Sequence, residues 1–104
     1  MSDAQHITID DDDGRLLAEA DVRATNQAVQ AELRVEAGHL PPGTRTKLVD
    51  AVLDLTNAEP GIPLNATLPA GDAEMLQRMR ERCTTVTTRA AGATCQVDTH
   101  TPTV

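Results

Sequence analysis

Residues 32–49 read ELRVEAGHLPPGTRTKLV, and this segment contains the main clue to the architecture. Apolar and polar side chains alternate from Val29 to Ala37, which is typical of a strand with one buried face. Two prolines and a glycine follow, and from Thr44 to about Asn57 the apolar residues recur at helical spacing. A strand, a short loop and a helix in this order can direct the amides of the helix N-terminus toward an anion.

Similar patterns predict the remaining elements. Strands are expected at His6–Asp10, Leu16–Ala24 and Ile62–Leu68, with a last strand or a bent pair of short strands within Thr84–Asp98. Asp72 is expected to cap a second helix, which runs from Ala73 to about Cys83.

The resulting order is β-β-β-α-β-α-β, which predicts a single α+β domain over residues 1–98 with a mixed sheet and helices packed on it. Because a helix connects the third and fourth strands, these two should be parallel, whereas the others should be antiparallel. Residues 99–104 are polar and are predicted to form a disordered tail.

The composition restricts both the core and the partners. The chain has 104 residues and contains no Phe, Trp or Tyr, so aliphatic side chains and methionine must fill its core. The formal net charge is −7, which argues against binding to nucleic acids and to anionic membranes. No apolar run suits a signal peptide or a membrane span, so the expected location is the cytoplasm. The abundance of Ala, and of Arg over Lys, suggests a bacterial source.

Two charged clusters have both a functional and a structural interpretation. Asp10–Gly14 could bind Ca²⁺, but its spacing departs from that of an EF-hand, and a charged hairpin tip is the favoured interpretation. An anionic partner could bind a group of arginines, which consists of Arg78, Arg80, Arg82 and Arg89. Positions two apart on a helix point in different directions, so we expect instead a solvated helix end that complements the helix dipole.

The histidines and cysteines show no recognisable catalytic or metal-binding pattern. His39 lies beside the Pro/Gly loop and could act as a base, but no nucleophile stands at a recognisable spacing from it. Cys83, Cys95 and His100 are scattered, and both cysteines are expected to stay reduced. We therefore predict no metal site and no catalytic residue.

From Val29 onward, the order and spacing of the elements resemble the C-terminal core of the GNAT-type N-acetyltransferases. In that family a strand ends in a loop of the pattern Arg/Gln-x-x-Gly-x-Gly/Ala, and the next helix presents its amides to the pyrophosphate of acetyl-coenzyme A. Residues 40–45 occupy the position of this loop, and Leu48 stands where the family has a helix leucine. The resemblance implies that the strand over residues 64–68 splays away from the strand over residues 29–37.

The residues of this chain depart from the chemistry of that family. Gly43 alone keeps the residue type of the loop motif, whereas Pro41 and Pro42 have no N–H to offer to a phosphate. Asp72 stands near the family's common Asn, and Met79 stands near the Tyr that would protonate the leaving thiolate.

Three hypotheses about function follow. The favoured one is a small GNAT-like domain that has lost catalysis, holds no cofactor and acts by binding a protein partner or a second copy of itself, since exposed sheet edges favour association. One alternative is a minimal N-acetyltransferase that binds acetyl-coenzyme A through Gly43, Thr44 and Arg45. The other is an acidic interaction module of unrelated α+β fold, whose Asp10–Asp21 face would contact a basic partner.

Overall fold

The computed structural model describes residues 3–25, 27–36, 40–55, 61–83 and 85–100. The elements in these ranges are β1 (Asp3–Asp10), β2 (Leu16–Ala24), β3 (Val29–Val35), α1 (Thr44–Leu55), β4 (Pro63–Pro69), α2 (Ala73–Arg82), β5 (Thr87–Ala91) and β6 (Thr94–His100). Both helices begin at the predicted residues, and Asp72 is the N-cap of α2, as predicted. The predicted ends of β3 at Ala37 and of α1 near Asn57 lie outside the described residues.

All six strands form one sheet in the order β1-β2-β3-β4-β6-β5. β3 and β4 are parallel and the other neighbours are antiparallel, which confirms the predicted mixed α+β architecture. The last predicted segment forms two strands, because the chain turns at Gly92, whose φ of 68° lies in the left-handed region. β6 includes Thr99 and His100, which the sequence analysis assigns to the tail, and residues 101–104 lie outside the described residues.

The core lies between one face of the sheet and the two helices. The helices contribute fully buried side chains that include Leu48 and Leu53 of α1 and Met75 and Met79 of α2. The strands contribute Ala18, Ala20, Val22, Val29, Ala31, Leu33, Leu64, Ala66, Leu68 and Val97. Alanine buries little apolar area, so the leucines, valines and methionines must provide most of the hydrophobic stabilisation.

The other face of the sheet is polar, and neither helix of the described part of the chain lies over it. We call this surface the open face, and its central row from β1 to β5 consists of His6, Asp21, Glu32, Thr67, Gln96 and Arg89. Each of these side chains is exposed or half-buried. One buried and one solvated face are common in antiparallel sheets.

The β1–β2 hairpin ends in an acidic turn, as predicted. Asp11 Oδ1 accepts hydrogen bonds from the amides of Asp13 and Arg15, both at 2.9 Å, and Gly14 has a φ of 82°. The Asp11 carboxylate is therefore used by the turn itself. Among the described residues, no group of three or more His, Cys, Asp or Glu side chains is arranged to hold a metal ion.

Two arginines of α2 bind α1, which corrects the prediction of a solvated helix end. Arg78 Nε and Nη2 donate to the two carboxylate oxygens of Asp50 at 2.8 and 3.1 Å. Arg82 Nη1 donates to the same carboxylate at 3.2 Å, and its Nη2 lies 3.1 Å from Asp54. Arg78 and Arg82 are four positions apart and therefore share one helix face, unlike residues two positions apart.

Candidate functional site

β3 and β4 separate at their C-terminal ends. They pair from Val29 opposite Leu64 to Glu32 opposite Thr67, and beyond that point β3 is paired with β2 and β4 with β6. The predicted splay between these strands is therefore present. Because β3 leads into α1 and β4 leads into α2, the N-termini of both helices border the wide end of the opening, which we call the mouth.

The loop before α1 is a tight turn. Pro42 and Gly43 occupy its two central positions, and the Thr44 amide donates to the Pro41 carbonyl at 3.2 Å. The φ of Gly43 is 84°, as a type II turn requires at that position. The Thr44 hydroxyl donates to the same carbonyl at 2.8 Å, and the residue is buried. Of the predicted cofactor contacts, Gly43 thus shapes the turn, and Thr44 directs both of its donors into the loop.

The side chain of Arg45, the third predicted contact, crosses the mouth. Its Nε donates to Asp72 Oδ2 at 2.8 Å, while Oδ1 of the same carboxylate accepts from the Met75 amide at 3.1 Å. The Asp72 side chain is 6% exposed and that of Arg45 is 32% exposed. One carboxylate therefore caps α2 and neutralises the cation at the start of α1. The group that could attract a phosphate to this helix N-terminus already has an anionic partner.

A cavity of about 360 Å³ opens at the mouth, between the ends of β3 and β4 and the first turn of α2. Its charged lining residues are Arg45, Asp72 and Glu74. Glu74 Oε2 lies 3.4 Å from the Thr46 hydroxyl, so the first turns of both helices contribute to the same surface. Two carboxylates and one guanidinium give this lining a negative net charge, which disfavours a pyrophosphate.

The remaining residues that the family resemblance singles out are placed for packing. Met79 is 1% exposed in the core, and its thioether has no proton to donate to a leaving group. Burial raises the pKa of the Cys83 thiol, so the reactive thiolate is disfavoured, and Cys83 and Cys95 are both free. His39, the candidate base beside the loop, lies outside the described residues.

The open face carries a charged network that the sequence analysis does not predict. Arg34 donates to Glu19, Asp21 and Glu32 at 3.0, 2.7 and 3.0 Å. His6 Nδ1 lies 2.7 Å from Asp21 Oδ1, and His6 Nε2 lies 3.4 Å from Glu19 Oε2. Hydrogen bonds with His6 and with Arg34 hold the pKa of Asp21 below its ordinary value. The network therefore favours the ionised form of Asp21.

Strand alternation already places the network's β2 and β3 residues on one face. Alternation does not predict the strand register, which puts Asp21 opposite both His6 and Glu32 and so brings the charged side chains together. A broad cavity of about 610 Å³ lies over the same strands and extends to Asn65 and Thr67 of β4. The open face thus offers a concave polar surface.

Comparisons with known proteins agree with this architecture. The sequence matches no family model and no curated protein. Among solved structures, a GNAT superfamily phosphinothricin acetyltransferase from Sinorhizobium meliloti, determined in complex with acetyl-coenzyme A, has a TM-score of 0.63 at 11% identity. That similarity covers 96% of this chain and 61% of the other, so the chain spans about three fifths of that enzyme's length.

Two further solved structures are similar. A candidate acetyltransferase from Sphaerobacter thermophilus has a TM-score of 0.66 at 9% identity, over 98% of this chain and 67% of the other. A candidate acetyltransferase from Salmonella typhimurium, determined with its cofactor acetyl-coenzyme A, has a TM-score of 0.55 at 13% identity, over 86% and 59%. The chain therefore has a GNAT-like fold, which confirms the resemblance at the level of architecture. Neither α1 nor α2, the two helices in the described ranges, has the length and apolar character that a membrane span requires.

Proposed function

We propose that this chain is a GNAT-like domain that no longer transfers acetyl groups and acts by binding a protein partner. The ion pair between Arg45 and Asp72 carries the first part of this proposal. A pyrophosphate at the mouth would have to displace a nearly buried carboxylate from its guanidinium, in a cavity whose lining is already negative. Charge-assisted hydrogen bonds of this kind are among the stronger polar contacts in proteins.

The turn before α1 supports the same conclusion. Two prolines remove two amides, and the Thr44 amide bonds to Pro41, so few backbone donors are left to hold a phosphate. Met79 supplies no acidic proton for a departing thiolate. The fold is therefore compatible with acetyl-coenzyme A, whereas the residues at the mouth do not favour it.

The distribution of charge supports a basic protein partner. Residues 1–36 contain nine of the sixteen acidic residues of the chain but three of its nine basic ones. This segment includes β1–β3, which bear the charged network and most of the broad cavity on the open face. Complementary charge across an interface accelerates association and orients the partner.

The loss of cofactor binding is tested by titrating isotope-labelled protein with acetyl-coenzyme A while the backbone amide resonances are followed. We expect no saturable shifts at Gly43, Thr44 or Arg45 at millimolar cofactor. Saturable shifts with a Kd below about 1 mM, or −4 kcal/mol, would contradict the proposal and favour a minimal acetyltransferase. Matched additions of sodium chloride control for ionic strength.

The binding part is tested by titrating the same protein with a lysine-rich peptide and with a glutamate-rich peptide of equal length. We expect the lysine-rich peptide to shift amides of β1–β3 and to lose this effect at high salt, since exposed charge pairs are screened. Shifts confined to α1 and α2, equal shifts with both peptides, or no shifts at all would argue against a basic partner at this face.

A further inference from the structure

We infer that Asp72 is an intramolecular ligand of the mouth, a reversible latch whose carboxylate takes the place beside Arg45 that a phosphate from solution would take. The inference rests on the proposed function, because it explains why the wild-type mouth does not bind an external anion.

The chemistry of the two groups supports this substitution of one anion for another. Carboxylates and phosphates both accept charge-assisted hydrogen bonds from a guanidinium. Arg45 is the second residue of α1, and its guanidinium is a cation at this end of the helix. The Asp72 carboxylate is held at the N-terminus of α2 by the Met75 amide and lies 2.8 Å from Arg45 Nε. The anionic partner of the Arg45 guanidinium is therefore supplied by the chain itself.

The way in which Asp72 divides its two oxygens makes the latch releasable. Oδ2 binds Arg45, whereas Oδ1 accepts from the Met75 amide, so the contact with Arg45 can break while the cap of α2 remains. Arg45 is about one-third exposed and is therefore within reach of an anion in solution, whereas Asp72 is nearly buried. Because α1 follows β3 and α2 follows β4, the pair also ties together the two strands that splay apart.

The latch is tested with the variants Asp72→Asn and Glu74→Gln and with inorganic pyrophosphate as the probe. Asparagine caps a helix about as well as aspartate, so the first substitution removes the charge next to Arg45 and leaves the cap. The second removes a negative charge from the same cavity without touching Arg45. We expect Asp72→Asn to bind pyrophosphate at least about ten-fold more tightly than the wild type, with amide shifts at Arg45 and Thr46.

The affinity of Glu74→Gln for pyrophosphate should rise by no more than about three-fold, because this substitution changes the electrostatic potential of the cavity and not the partner of Arg45. Adding Arg45→Gln to the Asp72→Asn background should abolish the gain. Asp72→Ser, which also keeps a capping oxygen, is the second latch-free variant, and circular dichroism with the Met75 amide resonance checks that each variant is folded.

Equal pyrophosphate affinity of the wild type and both folded latch-free variants would overturn the latch and leave the proposed function in place. An equal gain in Glu74→Gln would also overturn it, in favour of a general charge effect. Binding of acetyl-coenzyme A by the wild type would instead contradict the proposed function, so the two failures are distinguishable.

Discussion

Asp50 of α1 accepts hydrogen bonds from two arginines of α2, and its replacement by asparagine should lower the free energy of unfolding by about 1 kcal/mol. The carboxylate accepts two hydrogen bonds from Arg78 and one from Arg82, and its side chain is 30% exposed. Exposed ion pairs contribute about 0.2–1 kcal/mol, and a bidentate guanidinium–carboxylate contact belongs at the upper end of that range. In a domain of this size the change corresponds to a Tm lower by about 5 °C.

The pH dependence of stability provides a second test of the Asp50 contact. The hydrogen bonds of Arg78, and then of Arg82, hold the pKa of Asp50 below its ordinary value. A carboxyl with a lowered folded-state pKa stabilises the protein above its unfolded pKa of about 4, and this contribution disappears as the pH falls through the folded-state pKa. The difference between the wild type and Asp50→Asn should therefore be constant near neutral pH and should vanish in acid.

The assay is urea unfolding followed by far-ultraviolet circular dichroism, since the chain has no tryptophan for fluorescence. Asp54→Asn is the matched control, because Asp54 lies on the same helix, contacts Arg82 and is 63% exposed. Asp54→Asn should lower the free energy of unfolding by no more than about 0.3 kcal/mol. The reasoning would be refuted if the two variants were equally stable, or if the effect of Asp50→Asn did not change with pH.

Three further predictions concern the turn, the core and the thiols. Gly43→Ala should lower the free energy of unfolding in urea by about 1 kcal/mol, because alanine is strained at a φ of 84°. An added Cβ would meet no atom within 4 Å, so backbone strain is the only cause, and an unchanged midpoint would argue against the type II turn. Met79→Ala should cost about 2–5 kcal/mol by leaving a cavity in the core, whereas Met79→Leu should cost less than about 1.5, and equal losses would contradict the packing described for α2. Cys83 should react with iodoacetamide more slowly than the half-buried Cys95, because burial both shields its thiol and raises its pKa; peptide mass spectrometry measures the two rates, and a faster Cys83 would be incompatible with its position.

The sequence predicts the elements of this fold because local chemistry determines them. Alternation predicts the exposed and buried sides of β3, and the spacing of apolar residues predicts the face that α1 buries. Asp72 is predicted as an N-cap from its residue type alone, and the structure has it accept from the Met75 amide. Even the parallel pairing of β3 and β4 follows from the helix between them.

Contacts between elements are less accessible to the same reasoning. Arg45 and Asp72 are 27 positions apart, and Asp50 and Arg78 are 28 apart. The choice of partner depends on the position of one helix along the other, and a shift of one residue changes the side chain that faces the contact. The residue types at these positions are compatible with solvated surfaces, which is why the sequence analysis assigns the arginines of α2 to a helix end.

The mouth shows why a likeness of fold leaves the function of this chain open. The splay, the helix that follows it and Gly43 are where the GNAT resemblance places them, and each of these features depends on backbone geometry. In our proposal, anion binding there depends on the partner of one guanidinium, and Asp72 lies 2.8 Å from Arg45 Nε. Because asparagine would cap α2 equally well, the cap does not require the negative charge of Asp72. The negative charge of Asp72 therefore acts mainly on Arg45. Asp72→Asn is thus the single substitution that tests whether this ion pair, and not the fold, keeps an anion out of the mouth.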